Sequence, residues 1–444
     1  MKKTIFLTLA ACLSGGSLGN IAQAADLMAV YRDALAYDAQ FASARAALDA
    51  GREKLPQGRA GLLPTVGLSA NTTWNDIDSK RRTPGAVEVN SQYNSNGWTV
   101  SLSQPLFRWQ NWVAYSQAEL AVAQAEAQFA LARQDLILRA AQAYFDVLLA
   151  QDTLATAQAQ KVAIAEQLES AKRNFEVGTA TITDTHEAQA RYDLTSAQEI
   201  AADNDLTVKR QVLRAVIGKE PDGLKSLRPG VRLVGPQPDD IGKWVELAES
   251  GGASVLVSQA LYEIATREIE KQRAGHYPTL DLVATRGRSS LTGNTTTVAA
   301  NDSNSSTIGL QLAIPIFAGG GVVSRDREAV ALKEKAAGDL ENARRTAALS
   351  ARQSYLAVTS GLAQVKAYEA ALTSSQSALD SNKLGYEVGV RINIDVLNAQ
   401  SQLFDTRQKL AKARLDTLVA LLKLKAAAGS LGEDDVAAIN ALLE

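Results

Sequence analysis

The 444-residue sequence holds one cysteine, two histidines and ten prolines, and aromatic side chains make up only 5% of it. A lone thiol, Cys12, permits no internal disulfide and no thiolate metal site. His186 and His276 lie far apart in sequence; His186 reads as an exposed helix residue, and His276 has no second ligand in view. Lys and Arg number 46 against 48 Asp and Glu, so no basic excess points to nucleic acid. No stretch after the N-terminus reaches the roughly 20 apolar residues of a membrane helix. No nucleophile–base pair, phosphate loop or metal-ligand cluster stands out, so neither an enzyme nor a cofactor is expected. What remains is an apolar fraction of 46% made mostly of Ala, Leu and Val, the composition of helix seams more than of a thick globular core.

The N-terminus reads as an export signal over residues 1–24. Lys2 and Lys3 form a basic start, Ile5 to Ala11 a short apolar stretch, and Ala22-Gln23-Ala24 a cleavage site that leaves Ala25 first. Leu9-Ala10-Ala11-Cys12 offers a second reading as a lipoprotein cleavage box, with an apolar stretch of only about seven residues before it. On either reading the chain leaves the cytoplasm.

The rest is written twice. Arg59-Ala60-Gly61 with Pro64-Thr65 recurs as Arg273-Ala274-Gly275 with Pro278-Thr279. Gln104-Pro105-Leu106-Phe107 recurs as Ile314-Pro315-Ile316-Phe317, Tyr144 as Tyr355, Phe175-Glu176-Val177-Gly178 as Tyr386-Glu387-Val388-Gly389, and Asp184 as Asp395. The offsets are 214, 210, 211, 211 and 211, too steady for chance and too long for a solenoid repeat. The predicted organisation is repeat one over 25–218, a linker over 219–240 holding four of the ten prolines, repeat two over 241–429, and a terminal segment over 430–444.

Each repeat has the same order of parts. A helical segment (near 27–57 and 241–274) leads to a strand beginning at Pro64-Thr65 or Pro278-Thr279. Val66, Leu68 and Ala70 alternate there with Thr65, Gly67, Ser69 and Asn71, the period of a half-apolar strand. Polar loops are expected over 75–96 and 287–305. The return strands alternate in the same way, as Trp98, Val100 and Leu102 in one and Ile308, Leu310, Leu312 and Ile314 in the other. Then comes a very long helix. Residues 106–177 hold no Gly or Pro over 72 positions, roughly 110 Å of helix with an Ala/Leu seam of coiled-coil type. The chain turns at Gly178 or Gly389 and a shorter helix runs back. The two short helical segments laid end to end match the long one, so each repeat builds an antiparallel rod of one continuous and one broken helix.

Four strands cannot close a barrel, and lipid does not tolerate open strand edges, so other chains must complete the wall. Each strand has one apolar face and one face of Thr, Ser, Asn and Gly, as a wall between lipid and water requires. Trp74, Trp98, Trp109 and Trp112, four of five tryptophans, lie in or beside the first hairpin and suit an interfacial belt. Pattern alone leaves open that the strands are soluble hairpins packed on helices, in an exported coiled-coil scaffold or adhesin.

The ordered set of duplicated hairpin and long helix, Arg-Ala-Gly-x-x-Pro-Thr, the Glu-Val-Gly turns and Ile394-Asp395-Val396-Leu397-Asn398-Ala399-Gln400 resembles the TolC-type outer-membrane efflux and secretion channels from Ala25 to about Gly432. The resemblance implies a mainly α fold: long antiparallel coiled-coil helices forming a periplasmic α-barrel, continuous with a 12-stranded transmembrane β-barrel in a homotrimer set in outer-membrane lipid. It implies docking on a periplasmic adaptor (membrane fusion) protein and an inner-membrane transporter of ABC, RND or MFS type. It also implies roles for particular residues. The Val177-Gly178-Thr179 and Val388-Gly389-Val390 turns would touch the adaptor. Thr183 and Asp184, with Tyr386 and Arg391, would form a gating network in which the aspartate is braced by the tyrosine within a chain and by the arginine across chains; pattern alone equally lets Asp184 cap a helix. Asp395 would line the pore as an acidic ring, while Asn398 stands where the family often has a second aspartate.

Overall fold

The computed structural model describes residues 24–80, 82–221, 223–293 and 298–444; the export signal through residue 23, with Cys12, lies outside them. Four strands, β1 (Thr65–Lys80), β2 (Glu88–Phe107), β3 (Thr279–Leu291) and β4 (Asn301–Ala313), form one antiparallel sheet in the order β1-β2-β3-β4. Both hairpins of the duplication are therefore joined edge to edge through β2 and β3. Val66 pairs with Leu102, Leu68 with Val100 and Ala70 with Trp98, while Leu280 pairs with Leu312 and Leu282 with Leu310. Directly paired residues share a face, so these positions make one apolar surface. Thr65, Gly67 and Ser69 with Ser103, Ser101 and Thr99 make the polar one. Val66, Leu68, Ile308, Leu310 and Leu312 are each more than 60% exposed in the chain. A soluble hairpin would bury that face against helices, and here it is left exposed.

The strands are longer than the apolar pattern. The loops expected over 75–96 and 287–305 shrink to 81–87 and 292–300, and the flanking residues are paired strand. Beyond the apolar band both faces are polar, so hydropathy alternation vanishes while the ladder continues. Side chains extend it: the Asn90 amide donates to Asp76 at 2.9 Å and Asp78 at 2.8 Å, and the Asn94 amide to the Thr72 hydroxyl at 3.0 Å.

Paired residues are not repeat equivalents. Ala70 pairs with Trp98 and Trp98 with Arg288, but the equivalent of Arg288 is Trp74 (288 − 214), four positions (74 − 70) along the strand. Leu102 pairs with Ala284 and Ala284 with Ile308, yet its equivalent is Leu312 (102 + 210), again four on (312 − 308). The register slips by four residues per hairpin, the stagger that the tilted strands of a barrel require.

Ten α-helices are found among the described residues: α1 (Leu27–Tyr37), α2 (Ala39–Arg52), α3 (Lys54–Ala60), α4 (Trp109–Glu176), α5 (Ile182–Ile217), α6 (Ile241–Gly251), α7 (Ala253–Arg273), α8 (Gly321–Glu387), α9 (Asn393–Ala427) and α10 (Glu433–Asn440). The two continuous helices have 68 and 67 residues, about 100 Å each. α4 packs on α1, α2 and α3 along one part and on α5 along the other, while α8 packs on α6, α7 and α9. The expected single helical segment before each hairpin is broken, at Asp38 and again at Glu53 in the first repeat and at Gly252 in the second, and Asp38 and Gly252 are repeat equivalents (252 − 214). At Asp38 the reason is a cap: its carboxylate accepts the Phe41 amide at 2.7 Å and starts α2.

The largest apolar cluster lies where α1, α4, α5, α9 and α10 converge, around the fully buried Tyr144, Phe145 and Leu136. The linker and the terminal segment meet there: Leu227 bridges Leu443, and the Tyr144 hydroxyl donates to the Lys225 carbonyl at 2.7 Å. Where strand passes into helix, Arg108 donates from two guanidinium nitrogens to both oxygens of Asp281, at 2.8 and 2.6 Å, tying the head of α4 to β3 of the other repeat.

Candidate functional site: the two helix-turn tips

The ends of the rods remote from the sheet are two turns built alike. α4 ends at Glu176, and Gly178 takes φ +78°, a left-handed conformation that side chains resist. The amides of Thr179 and Ala180 then donate to the Asn174 carbonyl at 2.8 and 3.1 Å. In the second repeat Gly389 has φ +76°, and the amides of Val390 and Arg391 donate to the Gly385 carbonyl at 2.8 and 2.9 Å. Both turns thus satisfy the last carbonyls of the long helix by the same hydrogen bonds. They leave Val177, Val388 and Val390 exposed at the extreme end, with space around each glycine.

The helices that leave the turns start differently. Asp184 closes a capping box on α5. Its carboxylate accepts from the Thr181 amide at 2.9 Å and the Thr181 hydroxyl at 2.7 Å, and its own amide donates back to that hydroxyl. Thr183 lies beside it in the first turn of α5. α9 has no side-chain cap. Arg391 sits in its approach and pairs with Asp395 at 3.6 Å, an exposed contact contributing about 0–1 kcal/mol.

Within one chain, the structure brings neither Tyr386 nor Arg391 to the Asp184 carboxylate. The Tyr386 hydroxyl instead accepts from the Asn174 amide at 3.1 Å, and this bond joins the tip of α8 to the tip of α4. Deeper in, Asn393 is only 1% exposed. Its amide nitrogen donates to the Asp184 carbonyl at 3.3 Å, and its oxygen accepts from Gln167. Asn398 accepts from Arg191 at 3.0 Å, a further tie between α9 and α5. Asp184 therefore takes part through its backbone, and four residues the sequence reading did not single out (Asn174, Gln167, Asn393 and Arg191) carry the contacts between repeats. A signal existed: Asn393 interrupts the apolar seam at the start of α9, and a single buried asparagine in a helical seam fixes register.

The fold and site define a class. The chain carries a four-stranded sheet with two free edges at one end and a polar-stitched pair of helix tips at the other. It matches the outer membrane efflux protein family over residues 30–219 and 244–430, and it belongs to that family. It is 34% identical to the outer membrane protein TolC of Vibrio cholerae over 446 residues, which cover 100% of this chain and 99% of that one. It is 32% identical to the protease secretion protein PrtF of Dickeya chrysanthemi over 447 residues, 98% of this chain and 94% of the relative. The structure of the Campylobacter jejuni CmeC outer membrane channel superposes with a TM-score of 0.78 at 16% identity, covering 100% and 98% of the two chains. The protein is an outer-membrane channel with a periplasmic portion, an exit duct for efflux and secretion. No helix among the described residues is long and apolar enough to cross a membrane.

Proposed function

We propose that three copies of this chain assemble into the exit duct of a tripartite efflux pump or type I secretion system. In this assembly the two tips of each copy form the periplasmic entrance and dock on a periplasmic adaptor and its inner-membrane transporter. The observation that supports it best is the four-stranded sheet with an exposed apolar face and two free edges, β1 and β4. Backbone polar groups at a free edge are not tolerated in lipid, so the edges must pair between copies. Three copies of four strands give an even-numbered barrel of the transmembrane kind.

The exposed valines of the two turns supply an apolar docking surface for the adaptor. Thr183, Asp184, Tyr386 and Arg391 act at the entrance, with Asn174 and Asn393 as the links that hold the two tips of one copy together. Asp395 lines the constriction, and Trp74, Trp98, Trp109 and Trp112 mark the membrane interfaces. The test is the purified protein in detergent. A trimer that resists dissociation in the cold, loses that mobility on heating and forms single channels in planar bilayers is expected; a monomer without conductance would end the reading.

A further inference from the structure

β3 carries two arginines on the face that should meet lipid. Arg286 pairs with Val100 and Ser306, and Arg288 with Trp98 and Asn304. They continue the row of Leu280, Leu282 and Ala284 and so stand on the apolar face. In hydrogen-bond register they lie beside apolar residues of β2, which would place two guanidinium groups within hydrocarbon. The four-residue slip per hairpin removes that conflict. The repeat makes Arg286 the equivalent of Thr72 (286 − 214) and Arg288 the equivalent of Trp74 (288 − 214). On β3 the last apolar outward residue is Ala284, and Arg286 is the next position on that face. Both arginines therefore stand directly above the apolar band, at the level where the first hairpin has an interfacial tryptophan.

Their pairing is unequal. Arg288 reaches Asp302 of β4 at 3.0 Å, both groups about half exposed. Arg286 has no hydrogen-bond or ion-pair partner among the described residues and is exposed. Their outward neighbours on β2 and β4, Asn94, Asn96, Asn304 and Ser306, are neutral, so Asp302 is the one carboxylate facing the pair from the strands packed against it. The local balance is one net positive charge. By contrast the other arginine bound to this sheet, Arg108, is held by both oxygens of Asp281.

We propose that Arg286 and Arg288 form a binding site for the phosphate of an outer-leaflet lipid, with Arg286 as the principal contact and the apolar surface below it receiving the acyl chains. This rests on the reading of that face as lipid-facing. A bidentate guanidinium matches a phosphate group, and a tethered acyl chain beside Leu282, Ala284 and Val100 adds apolar contact that a free anion lacks. The first hairpin, with Thr72 and Trp74 at these positions, has no such site, so each copy carries one.

The detergent-purified protein would be titrated with diphosphorylated lipid A in native mass spectrometry. Arg286→Gln should lower lipid affinity about fivefold, and Arg286→Gln with Arg288→Gln roughly 25-fold. Arg286→Lys keeps the charge and loses the fork, so it should bind more weakly than the unaltered protein and more tightly than Arg286→Gln, which separates charge from misfolding. Lipid A stripped of its phosphates should bind the unaltered protein no better than lipid A binds the double variant. Inorganic phosphate at millimolar concentration should not displace the lipid. Equal lipid binding by the double variant, or displacement by inorganic phosphate, would overturn the proposal. Single-channel conductance of the double variant should equal that of the unaltered protein, so absence of channels in both would count against the conduit reading and not against this site.

Discussion

Asn174 and Tyr386 stand 212 positions apart in the chain, and their side chains meet at 3.1 Å, the amide of one donating to the phenol of the other. This bond ties the last turn of one long helix to the last turn of the other. Tyr386→Phe keeps the ring and removes the acceptor, so the tips should part more easily. Channel conductance in planar bilayers should rise, and adding Arg391→Ser should raise it further by freeing the approach to α9. Unchanged conductance in the double variant would mean that the closed state is held elsewhere.

Asn393 is the buried keystone of the same region. Asn393→Ala removes the acceptor of the Gln167 amide and one donor to the Asp184 carbonyl in a partly buried seam, at a penalty of about 1 kcal/mol. Thermal unfolding of the detergent-solubilised protein should start earlier, and the tip should become sensitive to protease before the rest of the chain. A melting curve indistinguishable from the parent would show that water replaces the lost contacts.

Asp395 is expected to attract cations at the constriction, and Arg391, 3.6 Å away, offsets that charge within the same chain. Block by trivalent cations added on the tip side should disappear in Asp395→Ala and tighten in Arg391→Ala. Asn398→Asp adds a second carboxylate, but one already facing Arg191, so its effect should be small alone and larger with Arg191→Gln. If block followed neither Asp395 nor Arg391, neither side chain faces the lumen.

Asp38 predicts a pH dependence outside the membrane. The Arg139 guanidinium, bonded to it at 2.7 and 3.0 Å, holds the Asp38 carboxyl below its ordinary value of 3.8, against the opposing effect of burial. A depressed acid pKa stabilises the fold fully above the ordinary value and loses that contribution as pH falls through it toward the depressed one. Stability should therefore fall below about pH 4 in the parent and less steeply in Asp38→Asn, which should already be weaker at neutral pH. Parallel pH curves for the two proteins would remove Asp38 from the acid limb.

The connections between β1 and β2 and between β3 and β4 join strands beyond the apolar band. Epitopes inserted at Gly85 should be reachable on intact cells, and epitopes at Gly178 or Gly389 only after the outer membrane is opened. The opposite result would invert the topology.

Much of this architecture could be read from residues. The steady 210–214 offset, the Gly- and Pro-free run through α4 and the glycine turns located both rods, and Thr65 and Thr279 began their strands as expected. Strand length was hidden because Asn90, Asn94 and Asp76 extend the ladder through side-chain amides and carboxylates, where no apolar alternation reports it. The break at Gly252 had a signal in the Gly251-Gly252 pair, whereas the one at Asp38 was hidden because a single aspartate in an Ala-rich run reads as an ordinary helix residue. At the tips, single-residue reading found the turns but not the partners. Asn174 meets Tyr386 only because two helices of about 100 Å end at the same level, a fact of length accumulated over the whole rod.

The free edges of β1 and β4 also bear on inheritance. Pairing at such edges runs through backbone groups, which are blind to what the distant tips contain. A cell expressing equal amounts of two alleles would mix them at random in each conduit, and if each conduit holds three copies, as proposed, only about one in eight would hold no altered chain. A leaky tip allele should therefore be dominant, making most conduits in the cell permeable. An allele that destroys a strand edge should be recessive, because its product never joins the others.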